Sequence, residues 1–353
     1  MLKVEWAPLN VPLHRRLETV AAAVEMFLVV LGNVAALIVF AILLIKGNTF
    51  IRVLCVVYLG FLYIDRDAGE NGGRGFGSQW FRSLTIWRYF RDYFPIDLVK
   101  TVDITADQNY IFAMFPHGIL SSSAFANFNT NYSKWKTLFP GIRSKIMTLD
   151  FHFYVPLFRE VVLAWGMGSC SARSIKKLLL QSNDINSEEN KDGYTSNAVM
   201  IFIGGAQEAA YCHPRNYTLV LKKRKGFIKI AMTTGKSIVP CISFNEVDIF
   251  DQPANPPGSW MRRFQDYVRG ITGVTPILFN GRGFFQYTYG FLPKRRAITT
   301  VVGSPLIVEK NENPTNEQID KLHEQFCEHL ITLFETHKAK YIEDHESVHL
   351  NII

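Results

Sequence analysis

The sequence predicts an α/β protein with a largely parallel sheet flanked by helices, preceded by an N-terminal hydrophobic membrane hairpin. From Tyr110 onward, short apolar segments alternate with longer helical ones, which is typical of strands and crossover helices. Before residue 66 the chain instead contains two strongly apolar runs, the composition of membrane helices. The chain is also long and apolar enough, at 353 residues and 48% hydrophobic, to bury a sizeable core.

Five apolar runs are predicted to be strands, because each is short and bounded by polar or turn-forming residues. They are residues 110–115, 161–165, 198–203, 237–244 and 297–302. Helices are expected on both faces of such a sheet, and residues 171–181 and 225–234 are two of them.

A long helix is predicted near the C-terminus. Thr315 and Gln318 have the spacing of a capping box, and apolar residues then recur on one stripe as far as about Tyr341. A polar tail at 345–353 follows. The predicted division is therefore a cytosolic N-terminus with its hairpin at 1–66, an α/β domain at 67–344, and the tail.

The apolar N-terminal runs predict a hairpin in a membrane. Residues 26–45 carry no charge and, as a helix rising ~1.5 Å per residue, cover ~30 Å, about one hydrocarbon core. Residues 53–64 are short for a full crossing, so this leg is re-entrant, interfacial or a tilted span. Basic residues beyond both outer ends place both termini in the cytosol. A buried hairpin in a soluble core is the alternative interpretation.

Charge and cysteine content restrict the partners and the compartment. The net charge of +7 and a pI near 9.1 suit an anionic membrane surface or a phosphorylated ligand. Nucleic acid is not expected, since no zinc-finger spacing or lysine-rich tail is present. The five cysteines are scattered without a CxxC pair, which indicates a reducing, cytosol-facing environment and no structural zinc.

One histidine is placed where it can act as a base. The strand predicted at 110–115 ends in Pro116-His117-Gly118, and a histidine at a strand exit is exposed on one side and held on the other. A surface histidine in a Pro-Gly turn is the ordinary alternative. The chain contains no G-x-S-x-G elbow, which argues against a serine hydrolase of the α/β-hydrolase type. No set of residues has metal-ligand spacing, so no metal is expected.

A second strand exit carries a carboxylate. Gly204 and Gly205 follow the strand predicted at 198–203, and Glu208 comes three residues later. Such exits gather at the carboxyl edge of a parallel sheet, so Glu208 is a second catalytic candidate, holding the His117 ring or binding a hydroxyl. A glutamate that stabilises a helix N-terminus is the alternative. The cations at 222–225 suit phosphate groups, although solvated surface charge is their ordinary explanation.

Several motifs occur in order along the chain. They are FLVVL at 27–31, RYFRDYFPI at 88–96, PHG at 116–118, PLFRE at 156–160, GGAQE at 204–208 and RKGFIKIAMTTGKSIVPCISF at 224–244. With these motifs the chain, from about Met26 to Lys340, resembles the type 2 diacylglycerol acyltransferase family, which includes monoacylglycerol and wax-alcohol acyltransferases. The resemblance implies a glycerolipid-acyltransferase-like domain, and FLVVL resembles the family's neutral-lipid-binding element.

Two positions depart from the pattern that the resemblance implies. The family's His-Pro-His-Gly is Phe115-Pro116-His117-Gly118 here, so His117 must carry the catalysis. Related glycerolipid acyltransferases have an aspartate five positions after the histidine, where this chain has Ser122. Glu208 is therefore the leading substitute partner of the base.

The resemblance implies transfer of a fatty acyl group from acyl-CoA, as co-substrate, to the hydroxyl of diacylglycerol. The product would be triacylglycerol, made at the endoplasmic reticulum membrane and the lipid-droplet surface without a cofactor. Backbone N–H groups around Gly118 or Gly205 are expected to stabilise the oxyanion. Arg159, Arg224 and Lys229 are candidates for CoA phosphate contacts.

Several questions stay open at the level of sequence. Monoacylglycerol or a long-chain alcohol are alternative acceptors for the same chemistry. A membrane lipid-binding or scaffold protein without activity is a different class of function, motivated by the missing first histidine. The residues also leave open whether the chain forms homo-oligomers.

Overall fold

The computed structural model describes residues 4–8, 10–75 and 77–353, and within these ranges the chain forms nine strands. In chain order the strands are β1 (Asp97–Lys100), β2 (Tyr110–Phe115), β3 (Ile142–Thr148), β4 (Gly168–Ser169), β5 (Ser196–Phe202), β6 (Tyr217–Leu219), β7 (Ile238–Phe244), β8 (Thr299–Val302) and β9 (Leu350–Ile352). Seven of them form one sheet in the order β1-β8-β7-β2-β5-β3-β4, and β6 pairs separately with β9.

The large sheet is parallel apart from one pair. β7 and β8 are antiparallel, whereas β1–β8, β7–β2, β2–β5, β5–β3 and β3–β4 are parallel. The predicted class, a largely parallel sheet flanked by helices, is therefore confirmed. β2 occupies the centre, between β7 and β5, and all six of its residues are buried.

Helices lie on both faces of this sheet, and two more project from the domain. In chain order the helices of the described residues are α1 (Leu13–Met26), α2 (Gly32–Lys46), α3 (Thr49–Ile64), α4 (Gln79–Arg82), α5 (Thr85–Tyr93), α6 (Ser122–Phe128), α7 (Trp135–Leu138), α8 (Phe158–Ala164), α9 (Ala172–Leu179), α10 (Gly205–Ala209), α11 (Gly226–Thr234), α12 (Trp260–Thr272) and α13 (Asn316–Tyr341). Residues 111, 113 and 115 of β2 pack in one hydrophobic cluster and residues 110, 112 and 114 in another. Because successive side chains of a strand point to opposite faces, the sheet has a core on each side.

Most of the predicted elements are confirmed. β2, β5, β7 and β8 correspond to four predicted strands, and α9 and α11 to the two predicted helices. At the start of α13 the Thr315 side chain accepts from the Gln318 N–H, and the Gln318 side chain accepts from the Thr315 N–H, so the capping box is confirmed.

The strand predicted at 161–165 is wrong, because these residues belong mostly to α8. A short apolar run does not by itself distinguish a strand from a buried helix. Phe158, Val162 and Leu163 are buried with helical spacing, in a small cluster that also contains Phe153 and Ala68. The helix places this apolar face against residues, Ala68 among them, that connect the two apolar N-terminal helices to the domain.

The structure adds strands that the sequence did not predict. β3 has no continuous apolar pattern in the sequence, because two charged residues, Arg143 and Lys145, are buried between its apolar ones. The Lys145 ammonium donates to the carbonyl of Gly72 at 2.9 Å, and burial lowers its pKa to about 7. At the C-terminus, the segment predicted as a polar tail contains β9, which pairs in register with β6.

The N-terminal helices connect the domain to a long apolar projection. α1 continues through a π-helical turn at Phe27–Leu31 into α2, and residues 13–46 are long and apolar enough to cross a membrane. Ala21, Ala22 and Met26 of α1 are buried in the main core, whereas most apolar side chains of α2 and α3 are exposed. The predicted span at 26–45 is thus the outer part of a helix that begins inside the domain.

The hairpin is fastened to the domain through α8. A Cβ on Gly32 would lie 2.5 Å from the Phe158 ring, so only glycine allows this close approach of α2. On α3, the Tyr58 hydroxyl accepts from the Leu157 N–H at 3.0 Å. These contacts set the direction in which the apolar helices leave the domain.

Candidate active site

Three neighbouring strand ends form the candidate site. β2 is parallel to both β5 and β7, with Met114 opposite Phe202 and Phe115 opposite Ile242. The loops that leave these strands therefore emerge side by side at one edge of the sheet. In α/β proteins this carboxyl edge is where ligands bind. It brings together His117 after β2, Glu208 after β5 and, unpredicted, Glu246 after β7.

The geometry of His117 leaves one ring nitrogen available. Its Nδ1 lies 3.1 Å from the carbonyl oxygen of Gly118, which only accepts, so Nδ1 carries the proton in this hydrogen bond. The Nε2 lone pair is then free to take a proton. The half-buried ring lies 5.0 Å, centroid to centroid, from that of Phe202, and burial lowers the pKa of the imidazole. His117 is consequently neutral near pH 7, the form that acts as a base.

Glu208 contacts the His117 segment through its backbone. One carboxylate oxygen accepts from the His117 N–H at 2.6 Å and the other from the Val220 N–H at 2.9 Å. The expectation that this carboxylate holds the ring is corrected, because both oxygens are bonded to main-chain donors instead. Burial raises the pKa of Glu208 to about 7, against the lowering effect of the two N–H groups. A Cβ on Gly204 would lie 2.0 Å from the carboxylate, which explains a glycine there.

Glu246 is a functional candidate that the sequence reasoning missed. Its side chain is fully buried, and its oxygens accept from the backbone N–H groups of Ser122 and Ser123 at 2.8 and 3.0 Å. These are the first residues of α6, where a negative charge is favourable. Burial raises the pKa of Glu246 to about 7. Glu246 comes just after the strand at 238–244, as Glu208 comes just after the strand at 196–202, so the same pattern of a carboxylate after a strand is present in the sequence.

Gly118 lies between the base and this second carboxylate. Its φ of +64° is in the left-handed region, and an added Cβ would lie 2.8 Å from Cγ of Glu246. At Ser122, where an aspartate partner of His117 is lacking, a carboxylate is present all the same: Glu246, from a distant part of the chain, accepts the Ser122 N–H. Gly205 also has a positive φ, +55°, and the space around it is open.

Arg159, one of the three cations predicted to contact CoA phosphates, has a different role. It is 1% exposed, and its guanidinium binds the Asp65 carboxylate at 2.5 Å and the Asp65 carbonyl oxygen at 2.8 Å. It joins α8 to the end of α3, so its prediction as a phosphate contact is wrong.

Arg224 and Lys229 are exposed, as a contact with a soluble ligand requires. Arg224 donates to the Gln207 side chain at 3.0 Å, one residue from Glu208. Among the described residues, no group of three or more histidine, cysteine, aspartate or glutamate side chains is arranged to hold a metal ion.

The comparisons with known proteins identify the family. A family model described as diacylglycerol acyltransferase matches residues 44–352. The chain belongs to the diacylglycerol acyltransferase family. The 2-acylglycerol O-acyltransferase 1 of Bos taurus is 44% identical over 340 residues, which are 96% of this chain and 97% of the relative. Diacylglycerol O-acyltransferase 2 of Dictyostelium discoideum is 38% identical over 335 residues, 95% and 96% of the two chains.

Among solved structures, a 1-acyl-sn-glycerophosphate (LPA) acyltransferase from Thermotoga maritima aligns with a TM-score of 0.38. The two sequences are 11% identical, and the alignment covers 92% of this chain and 100% of that one. The family and the curated relatives make this protein an acyltransferase enzyme, and they confirm the resemblance found in its motifs.

The three strand exits contribute different groups to the site of this acyltransferase: one supplies an imidazole and two supply carboxylates. His117 supplies a free Nε2, and the two buried carboxylates hold the backbone on both sides of it, Glu208 at residue 117 and Glu246 at the start of α6. Neither carboxylate has an oxygen without a backbone donor. Both carboxylates bond to the backbone rather than to the ring, and the arrangement suits proton transfer by a single imidazole.

Proposed function

We propose that the protein transfers a fatty acyl group from acyl-CoA to the free hydroxyl of diacylglycerol, forming triacylglycerol. The observation that carries the proposal is His117 at the end of the central strand, with Nδ1 bonded to a carbonyl and Nε2 free. Nε2 takes the hydroxyl proton as that oxygen attacks the thioester carbonyl. A C–O bond forms, the C–S bond breaks, and the departing CoA thiolate recovers the proton from the imidazolium.

The developing oxyanion needs fixed donors near the base. Gly118 and Gly205, both with positive φ, are the glycines at the two strand exits beside His117. We assign the oxyanion contact to backbone N–H groups at these positions, because preorganised main-chain donors stabilise such charge most effectively. Glu208 supports the assignment by holding the main chain at residue 117.

Monoacylglycerol is a second candidate acceptor. The curated relative named for 2-acylglycerol is more similar to this chain than the relative named for diacylglycerol. The same base and leaving group would serve, since both acceptors present a hydroxyl of a glycerol backbone.

We further propose that the enzyme is bound to the endoplasmic reticulum membrane, with both termini cytosolic, and reaches the lipid-droplet surface. The apolar helix at 13–46 and the exposed side chains of α2 and α3 support membrane insertion. α12 supports a second contact: Trp260, Phe264, Tyr267 and Ile271 are 55% to 76% exposed and recur at helical spacing along one stripe. A basic helix with such a stripe is typical of the membrane interface. Insoluble acceptors would then reach the site by diffusion in the bilayer.

Microsomes containing the protein test the activity. Labelled oleoyl-CoA is supplied with diacylglycerol, monoacylglycerol or a long-chain alcohol, and the labelled products are separated. We expect labelled triacylglycerol with diacylglycerol, and its loss in His117→Ala. Absence of product with every acceptor, and the same result for His117→Ala, would support the inactive lipid-binding alternative instead.

A further inference from the structure

A large cavity lies apart from His117, between the N-terminal segment, the start of α1 and the chain at 282–295. Its volume is about 1190 Å³, which exceeds the usual range for a small-molecule site, ~300–1,000 Å³. One wall is held by backbone hydrogen bonds: the Ala7 N–H donates to the Phe285 carbonyl and the Tyr287 N–H to the Glu5 carbonyl, both at 2.8 Å. The cavity is therefore built by two distant parts of the chain.

The lining combines positive charge with aromatic rings. Its described residues include no carboxylate and several cations, namely Arg15, Arg16, Arg282, Lys294 and Arg295. Behind the wall, Glu18 pairs with Arg15 and Arg295, and Asp251 with Lys294 at 2.5 Å. The described lining itself thus carries five cations and no carboxylate, which gives the cavity wall a positive charge.

Aromatic side chains supply the apolar part of the cavity lining. Trp6 and Phe285 are more than half exposed, and Tyr287 carries the Arg282 guanidinium 4.2 Å from its ring centroid. Flat apolar faces beside guanidinium and ammonium groups fit a ligand that has both a heteroaromatic ring and phosphates. A lipid headgroup with a single phosphate would use only part of this lining.

One wall of the cavity, the segment before β8, lies at the same edge of the sheet as the base. β8 runs antiparallel to β7, with Thr299 opposite Phe244, so the residues before β8 lie at the end where β7 leaves the sheet. The Lys294 N–H donates to the Ile249 carbonyl at 2.7 Å, and Ile249 is three residues after Glu246. The cavity and the candidate active site are thus neighbours along one edge, as the two ends of an extended substrate require.

We propose that this cavity binds the 3′-phosphoadenosine diphosphate part of the acyl-CoA donor, with the rings against adenine and the cations against the phosphates. The pantetheine arm then reaches from the cavity to His117. This inference rests on the proposed function for the identity of the donor. It places the phosphates on the β7 side of β2, in a cavity that neither Arg224 nor Lys229 lines.

The test uses the full-length enzyme in detergent and 3′,5′-ADP, a fragment of CoA that has no thiol and cannot react. Arg16→Gln/Lys294→Gln removes two exposed or half-buried cations of the cavity. Lys136→Gln/Lys321→Gln is the matched control, since it removes the same charge from exposed positions on α7 and α13. Arg224→Gln/Lys229→Gln removes the alternative pair.

We expect the cavity variant to bind 3′,5′-ADP at least about tenfold more weakly by calorimetry, the effect of losing one charge-assisted hydrogen bond. Its KM for oleoyl-CoA should rise by a similar factor with kcat retained, while the control stays at wild-type values. Dephospho-CoA thioesters should have a higher KM than CoA thioesters in the wild type, and this difference should shrink in the cavity variant.

Three results would overturn the inference. The cavity variant could bind 3′,5′-ADP with unchanged affinity, or the tenfold loss of affinity could occur in Arg224→Gln/Lys229→Gln and not in the cavity variant. In the third, phosphatidic acid vesicles displace 3′,5′-ADP from the wild type whereas CoA does not. Failure of the proposed function is distinguishable. A wild type that forms no product but binds 3′,5′-ADP in the cavity refutes the acyl transfer alone. An active enzyme whose KM is insensitive to the cavity variant refutes the cavity assignment alone.

Discussion

Replacing Glu208 by glutamine is the sharpest perturbation of the candidate site. Both oxygens of the carboxylate accept main-chain N–H groups, from His117 at 2.6 Å and Val220 at 2.9 Å. An amide retains one acceptor but turns an NH₂ group towards the other N–H. The variant therefore loses a buried hydrogen bond to a carboxylate, worth about 1.5–3 kcal/mol, and leaves a buried donor without a partner.

The consequence for catalysis follows from the bond to residue 117. When the main chain at His117 loses its anchor, the ring is no longer held where Nε2 meets the acceptor hydroxyl. We expect kcat to fall by roughly a hundredfold, as for a displacement of about 1 Å at a reacting group, with little change in KM for acyl-CoA. A structural role alone would lower the amount of folded enzyme without changing kcat per folded molecule.

The assay combines initial rates, normalised to folded protein, with thermal unfolding of the same preparations. Glu343→Gln is the matched control, because Glu343 is exposed on the protein surface. A Glu208→Gln enzyme with wild-type kcat and wild-type melting temperature would refute the reasoning, since the carboxylate would then not hold the His117 segment.

Three further predictions concern pH and the membrane. Burial places the pKa of His117 below 6.5, so kcat/KM should be flat near pH 7 and fall only at more acidic pH, as rate profiles would show. The pKa of Glu246 is raised from 4.5 to about 7, so its contribution to stability is present below pH 4.5 and lost as the pH rises towards 7. In Glu246→Gln the free energy of unfolding, measured in urea, should therefore decrease less between pH 4.5 and 7, by on the order of 3 kcal/mol. The same pH dependence of this free energy in the variant and the wild type would contradict the prediction. On α12, the part of the tryptophan fluorescence that is lost in Trp260→Phe should be quenched by brominated lipids, and Phe264→Ser/Tyr267→Ser should weaken this quenching. Equal quenching in both proteins would place α12 away from the bilayer.

The sequence predicts which residues lie at the candidate site better than it predicts what they contact. His117 and Glu208 were accessible because each follows an apolar strand, and strand exits collect at one edge of a parallel sheet. The role of Glu208 was not accessible, because whether its oxygens reach a ring or a backbone depends on the path of the loop at 116–118. Arg159 was predicted to contact a ligand because it is a basic residue in one of the motifs. The sequence does not show that Asp65 lies beside it and pairs with it.

Short-range patterns in the sequence determined the class of fold, four of the strands, the capped C-terminal helix, the apolar projection and the histidine at the end of β2. These depend on periodicity, capping and strand ends, which are properties of neighbouring residues. Tertiary structure alone decided that Glu246 anchors Ser122 and Ser123, that most of 161–165 is helical, and that described residues of the N-terminal segment and α1 line a positive cavity with the chain at 282–295. Each of these joins segments far apart in the chain, and such contacts are set by how the elements pack rather than by any local pattern.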